Sequence, residues 1–245
     1  MLIKNGIRAS LLALGWFASL PVQAGLIDRG NGMLYDDVLD VTWLQDANYA
    51  KTSGYSDSGR MGWHQASEWA DQLVYGGFDD WRLATVDTTD ANCSFSLVDH
   101  GQTLKHGYGC SGSNNELGYM FYENLGLHGG LTGQGLNDPL WHRTPWQSVI
   151  NNTFVDALTG VTLSISNLFS MVYWSSTEFA SNPGSVWWLD TSVGRQYFSG
   201  KSGSGYAWAV RDGDVANVTP PNDIPEPASL ALLGLGMLGW LRRKS

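Results

Sequence analysis

The chain is 245 residues long with a formal charge of −9, and residues 25–225 are more acidic still, near −13, with nine Lys+Arg against 22 Asp+Glu. That balance argues against nucleic acid, whose phosphates need a basic face, and against polyanionic polysaccharides. Neutral glycans, cations and basic partners stay open, and solubility outside the cell is the plainest account of the acidity.

The first residues, "MLIKNGIRASLLALGWFASLPVQAGL", carry Lys4 and Arg8, an apolar stretch from Leu11 to Leu20, a break at Pro21 and small residues before Gly25. This pattern predicts a secretory signal peptide over residues 1–24, cut after Ala24. The alternative, an uncleaved anchor helix, has a short apolar core for a span. The roughly 200 residues that follow suffice for one domain with a real core.

"GMLYDDVLDVTWLQD" predicts a strand, a turn at Asp36-Asp37 and a second strand through Val41, Trp43 and Leu44. In "GWHQASEWADQLVYGG", Trp63, Ala66, Ala70 and Leu73 fall on one helical face, with Gly76-Gly77 as the stop. Cys93 and Cys110 are the only two cysteines. In an oxidising compartment they are expected to pair. A metal site with His100 and His106 is the other reading of that loop, although no CxxC or HxxxH spacing supports it. "SNNELGYMFYENLG" predicts a second helix, opened by a Ser113/Glu116 capping box, lined by Leu117, Phe121 and Leu125, and ended by Gly126. "VTLSIS", Val161 to Ser166, alternates as a half-buried strand.

The C-terminal third has four strand-like runs, "MVYWSSTEF", "SVWWLDTSVG", "RQYFSGKSG" and "GYAWAVRDGD", broken by Gly-rich turns, and they suggest an antiparallel meander. Trp187 and Trp188 then point to opposite faces, so either one is exposed or both faces are covered.

These motifs resemble a domain family named after the C-terminal domain of the Lcl collagen-like adhesin. Its pattern is matched by Trp63 and Ala66, by Asp80-Trp81-Arg82-Leu83, by Tyr173-Trp174-Ser175-Ser176-Thr177, and by Trp208 with Val210-Arg211, over roughly Gly32 to Asp214. Ala84 departs from the family, which usually has Pro there, and the loop with Cys93 and Cys110 replaces the usual acidic helix start. The resemblance implies an α+β, C-type-lectin-like single domain with antiparallel strands and two main helices, related to the formylglycine-generating enzymes. That fold hosts binders and enzymes alike, so it does not settle function.

Read as chemistry, Trp81, Trp174 and Trp208 are large apolar anchors. Arg82 and Arg211 are planar donors for Asp79, Asp80, Asp212 or Asp214. Ser175, Ser176 and Thr177 can satisfy turn backbone. The competing reading is a carbohydrate site with Trp187, Trp188, Tyr197 and Tyr206 as stacking candidates. Catalytic signatures are missing: there is no G-x-S-x-G, HExxH or P-loop, although a Ser/His/Asp set can assemble from distant positions. An oxidase like the formylglycine-generating enzymes would need cysteines after Cys110. No cofactor is expected; calcium stays open from the Asp36, Asp37, Asp40 and Asp212, Asp214 clusters, which lack EF-hand spacing.

"TPPNDIPEP" reads as a stiff linker, with residues 215–224 joining the domain (25–214) to a tail over 225–245. The run from Ala228 to Leu241 has no charge and ends in Arg242-Arg243-Lys244. Its 14 residues make roughly 21 Å of helix at about 1.5 Å per residue, short against a bilayer core of about 30 Å. The basic cluster would stay cytoplasmic; a buried core helix is the alternative, weakened by three glycines. Pro225-Glu226-Pro227, the apolar run, and Arg242 and Arg243 resemble the PEP-CTERM sorting signal of Gram-negative bacteria. The resemblance implies a transmembrane sorting helix, recognition and tail removal by exosortase, and delivery to the cell surface or extracellular matrix. The expectation is an exported, non-catalytic surface or matrix protein. Its partners are exosortase, the inner membrane before processing, and an exopolysaccharide or another matrix component, with no nucleic acid. An extracellular enzyme on a formylglycine-generating-like scaffold is the alternative.

Overall fold

A computed structural model describes residues 25–128 and 152–217; the expected leader, most of the linker and the sorting residues Pro225, Glu226, Pro227, Arg242 and Arg243 lie outside them. No helix among the described residues is long and apolar enough to cross a membrane.

The architecture is mostly antiparallel sheet with few helices. The first hairpin forms as its alternation predicts: β2 (Met33–Asp36) pairs with β3 (Val41–Leu44) in register Met33↔Leu44 to Asp36↔Val41. Its turn is closed by Asp36, whose carboxylate accepts from the Val38 and Leu39 amides at 3.0 Å each. β1 (Leu26–Asp28) adds to one side, while β12 (Ala209–Asp212) and β4 (Arg82–Leu83) add to the other, giving the order β1-β2-β3-β12-β4. A second sheet has the order β11-β10-β9, from β9 (Val172–Glu178), β10 (Ser185–Asp190) and β11 (Arg195–Gly200). Two hairpins complete the fold, β5 (Phe95–Asp99) with β6 (Gln102–His106), and β7 (Thr153–Val155) with β8 (Thr162–Ser164).

The four-stranded meander expected for the C-terminal third is therefore three strands. The fourth run touches β9 at Tyr206, in a parallel bridge to Tyr173, and then inserts between β3 and β4 of the other sheet. Strand propensity does not say which sheet a strand joins; Ala209 and Val210, both fully buried, point to opposite faces and into the two different apolar clusters, which fits a central strand.

Of the helices, α1 (Tyr49–Thr52) is a single turn and α2 (Trp63–Asp71) is the longest. Trp63, Ala66, Trp69 and Ala70 are its buried residues, so the expected face is the core face. The helix ends before Gly76-Gly77. Those two glycines, at φ +64° and +85°, instead form the two-residue turn of a small bridge between Tyr75 and Phe78. The second expected helix is α3 (Glu116–Tyr119), followed by a π-helical turn over Met120–Asn124. Its N-cap is Asn115, whose side chain accepts from the Gly118 amide, so the Ser113/Glu116 capping box does not form.

The β9–β11 sheet lies between two apolar clusters. Tyr173, Trp187 and Leu189 point into one, with Trp43, Leu117, Phe121 and Trp208; Trp174 and Val186 point into the other, with Trp63, Trp69 and Trp81. Period-two alternation feeds both cores from consecutive residues. Both sheet faces are thus covered, and Trp188 is half-buried at the margin of the second cluster.

Candidate functional site

The family-motif side chains are consumed internally. Four motif indoles donate to backbone carbonyls: Trp63 to Ser175 (2.8 Å), Trp81 to Tyr75 (3.3 Å), Trp174 to Met61 (2.8 Å) and Trp208 to Leu44 (2.7 Å). Gly205 lets the chain pass tightly over Trp174, since a Cβ there would sit 2.9 Å from the indole nitrogen. At the register shift between Val186 and Trp188, the Ser175 hydroxyl donates to the Trp187 carbonyl at 2.8 Å. The Ser176 amide reaches the Ala84 carbonyl (2.9 Å), and Thr177 exchanges bonds with the Val86 backbone.

Arg82 forks onto Glu116 at 2.9 and 2.7 Å and also reaches Asp212. Burial works against its charge, but the two carboxylates outweigh burial and hold the guanidinium above its ordinary pKa. Glu116 also accepts from the Thr85 amide at 2.7 Å. Arg211 forks onto Asp80 at 2.7 and 2.8 Å, lies over the Phe78 ring, and holds the Asp80 carboxyl below its usual range.

Elsewhere the molecule leaves rings at its surface. Trp188 and Tyr197 are cross-strand partners with ring centroids 6.0 Å apart. From Tyr197 the series continues onto the β5–β6 hairpin: His106 lies 5.3 Å from Tyr197, Phe95 lies 5.7 Å from His106, and Tyr108 lies 6.4 Å from Phe95. Phe95 is 46% exposed and the other four are half-buried. Tyr197 stacks on the Phe198 ring at 4.8 Å and carries the Arg195 guanidinium 4.3 Å from its centroid. Burial and the nearby Arg195 charge push His106 below its ordinary pKa.

The hairpin bearing three of these rings is closed by a Cys93–Cys110 disulfide, as two lone cysteines in an exported chain imply. Its turn is His100-Gly101, both at positive φ.

The family model for the Lcl C-terminal domain matches residues 32–211. The chain belongs to the Lcl C-terminal domain family. A second model, the PEP-CTERM protein-sorting motif, matches residues 223–245. That motif implies an exported protein with exosortase as its processing partner. A comparison with curated proteins and with solved structures finds no match.

Within this Lcl C-terminal domain the four stacking candidates part company. Trp187 is 1% exposed and packs against Phe179 and Phe198; Tyr206 is 8% exposed and stacks on Phe169. Neither offers a ring face to solvent. Trp188 and Tyr197 do reach the surface, together. Phe95, His106 and Tyr108 are not among the stacking candidates that the sequence offers, since "SFSLVDHGQTLKHGYG" reads as polar and Gly-rich. The signal was present: Phe95 and Leu97 alternate toward His100-Gly101, and Leu104 and His106 alternate away from it. Ala84 at the family's usual Pro position keeps an N–H, which donates to the Trp208 carbonyl at 3.4 Å.

Ser181, His100 and Asp99 do meet, but not as a catalytic relay. Ser181 and Asp99 both approach the same ring nitrogen, Nδ1, at 3.0 Å, and the Ser181 hydroxyl bonds Asp99 directly. A relay needs the two partners on opposite nitrogens. The contact instead ties the hairpin tip to the β9–β10 connection. Among the described residues, no group of three or more His, Cys, Asp or Glu is placed to hold a metal ion. The acidic pairs are engaged otherwise: Asp212 with Arg82, Asp214 with Arg29, and Asp36 with Asn124.

Proposed function

We propose that this exported protein is a non-catalytic surface or matrix component that binds polysaccharide on a C-type-lectin-like scaffold. The observation that carries the reading is the contiguous ring series beginning at Trp188 and Tyr197. Indole and phenol faces suit the C–H faces of sugars, and their polar tips suit hydroxyls. The Trp188 indole N–H donates to the Ser199 hydroxyl at 2.9 Å, which ties the ring to the edge strand β11. The sorting motif supports the same reading, since a protein delivered to the outside of the cell meets its own exopolysaccharide there. The domain occupies residues 25–214, preceded by the leader over 1–24 and followed by the linker (215–224) and the sorting tail (225–245).

The test is a glycan array probed with the exported protein, with and without calcium. Reproducible retention on polysaccharide probes is the expected result. No retention under either condition would contradict the reading, and turnover of an arrayed glycan would favour an extracellular enzyme instead.

A further inference from the structure

The ring series does not stop at the β9–β11 sheet. We infer that the disulfide-closed hairpin Phe95–His106 is the second half of the binding surface, and that the site takes an internal stretch of an uncharged polysaccharide chain, with Arg195 as its principal hydrogen-bond donor. This inference rests on the glycan-binding reading above.

The hairpin is seated firmly enough to serve as half a site. Gly107 and Gln196 exchange backbone hydrogen bonds at 2.9 and 2.7 Å, and the Lys105 amide donates to the Thr88 carbonyl at 2.7 Å. The fully buried Gln196 amide donates to the Asp87 carbonyl (2.9 Å) and accepts from Asn115 (2.8 Å). Asn115 in turn reaches the buried Asp90, which also accepts from the Gly112 amide at 2.8 Å. Gly107 has a specific task. At φ +100°, a Cβ there would meet the Phe95 ring at 2.5 Å, so glycine is what allows that ring to lie beside His106. The hairpin therefore holds its rings in fixed register with Tyr197.

Arg195 supplies the polar half of recognition. Arg29, Arg82 and Arg211 each fork onto a carboxylate. The Arg195 guanidinium instead lies over the Tyr197 ring, 4.3 Å from its centroid, and has no side-chain hydrogen bond or ion pair among the described residues. A pre-positioned planar fork with unused N–H groups, over a ring that has both Trp188 and His106 as neighbours, matches adjacent hydroxyls on a sugar ring. The ligand is uncharged because one guanidinium cannot offset residues 25–225, which sum to near −13 and repel a polyanion. It is an internal stretch because five rings follow one another in contact, so successive sugars can be engaged together.

Affinity electrophoresis of the exported protein tests this, in gels containing hydroxyethyl cellulose, laminarin, xylan or, as the polyanionic control, alginate. Retardation by an uncharged polymer is expected. Phe95→Ala and Arg195→Gln should each weaken it about 3- to 10-fold, the range for losing one exposed aromatic or charged contact. Arg195→Lys should not restore it, because a lysine lacks the fork. Near-UV circular dichroism of each variant should match the parent. If Trp188→Ala abolishes retardation while Phe95→Ala and Arg195→Gln leave it unchanged, the hairpin and Arg195 have no part in the site, and the glycan-binding reading alone survives. Retardation by alginate only would overturn the uncharged ligand class. Retardation by none of the polymers would overturn the reading and this inference together.

Discussion

Arg82 and Arg195 are both strand residues on the same domain, yet they are used in opposite ways. Arg82 has Glu116 and Asp212 around it, and its own Leu83 carbonyl as well. The Arg195 guanidinium has a ring beneath it and no side-chain hydrogen bond among the described residues. The same contrast divides the surrounding aromatics. Around Arg82, Trp81 is 2% exposed and its N–H is consumed by a carbonyl. Around Arg195, the rings of Tyr197, His106 and Phe95 reach solvent. The lesson is that the residues which identify the family build the fold, and the rings and guanidinium not consumed in this way lie on β10, β11 and the hairpin.

That division can be broken in several ways. The largest effect is expected at Trp81. Trp81→Ala removes a buried indole from the cluster that holds Trp174 and Trp69, and should cost about 3–5 kcal/mol. Thermal or denaturant unfolding measures it. A shift under about 1 °C would place Trp81 with the ligand-facing rings instead.

Glu116→Gln comes next. It leaves the Arg82 fork facing a neutral amide in a half-buried setting and should cost about 2–3 kcal/mol, read as a change in denaturant midpoint at constant slope. Arg82→Lys should also lower the midpoint, because a lysine cannot engage both oxygens.

Reducing the disulfide sharpens the comparison from the other side. Closing a loop of this size is worth roughly 3 kcal/mol in the chain-entropy account. The loss should be felt locally: amide exchange in residues 95–106 should rise while β3, β9 and β12 stay protected. Uniform loss of protection would mean that the hairpin is part of the structural core. Thiol titration of the denatured, unreduced protein should find none free.

The smallest effect concerns pH. The hydrogen bonds from Arg211 lower the Asp80 pKa in the folded state. Stability from this pair is therefore fully present above the unfolded value near 3.8, and it is lost as pH falls through the lower folded value. Asp156 behaves likewise: burial raises its pKa, but the hydrogen bonds from Thr159, Asp28 and Leu158 more than offset this. Asp80→Asn should reduce stability at neutral pH and flatten its acid dependence below about pH 4. Most of the Asp80 side chain is exposed, so the change should be modest. An unchanged acid limb would show that Arg211 is held by packing on Phe78 alone.

Much of the fold was legible in particular residues. The alternation in "MLYDDVLDVTWL" set the β2–β3 hairpin, and the i, i+3, i+7 spacing of Trp63, Ala66 and Ala70 set the buried face of α2. The strand positions of Trp187 and Trp188 already required both sheet faces to be considered. Three features were not legible. β12 looks like any strand, and its place between β3 and β4 follows from long-range packing. Ser113 and Glu116 have capping-box spacing, but Glu116 is drawn to Arg82, 34 residues away in sequence, and Asn115 caps the helix in its stead. At the site, two of four stacking candidates proved to be core. Composition marks an aromatic as large and apolar, but only neighbours such as Phe179, Phe198 and Phe169 decide whether its face is free.

The central claim is that structural and ligand-facing aromatics are separate sets, and Trp188 tests it most directly. The measurement is polysaccharide binding and thermal unfolding of Trp188→Ala, side by side with the unaltered exported protein. Trp188 is half-buried at the margin of its cluster, so its removal should lower the melting temperature by only a few degrees while binding is lost. Binding that survives intact in a folded Trp188→Ala protein would contradict the account.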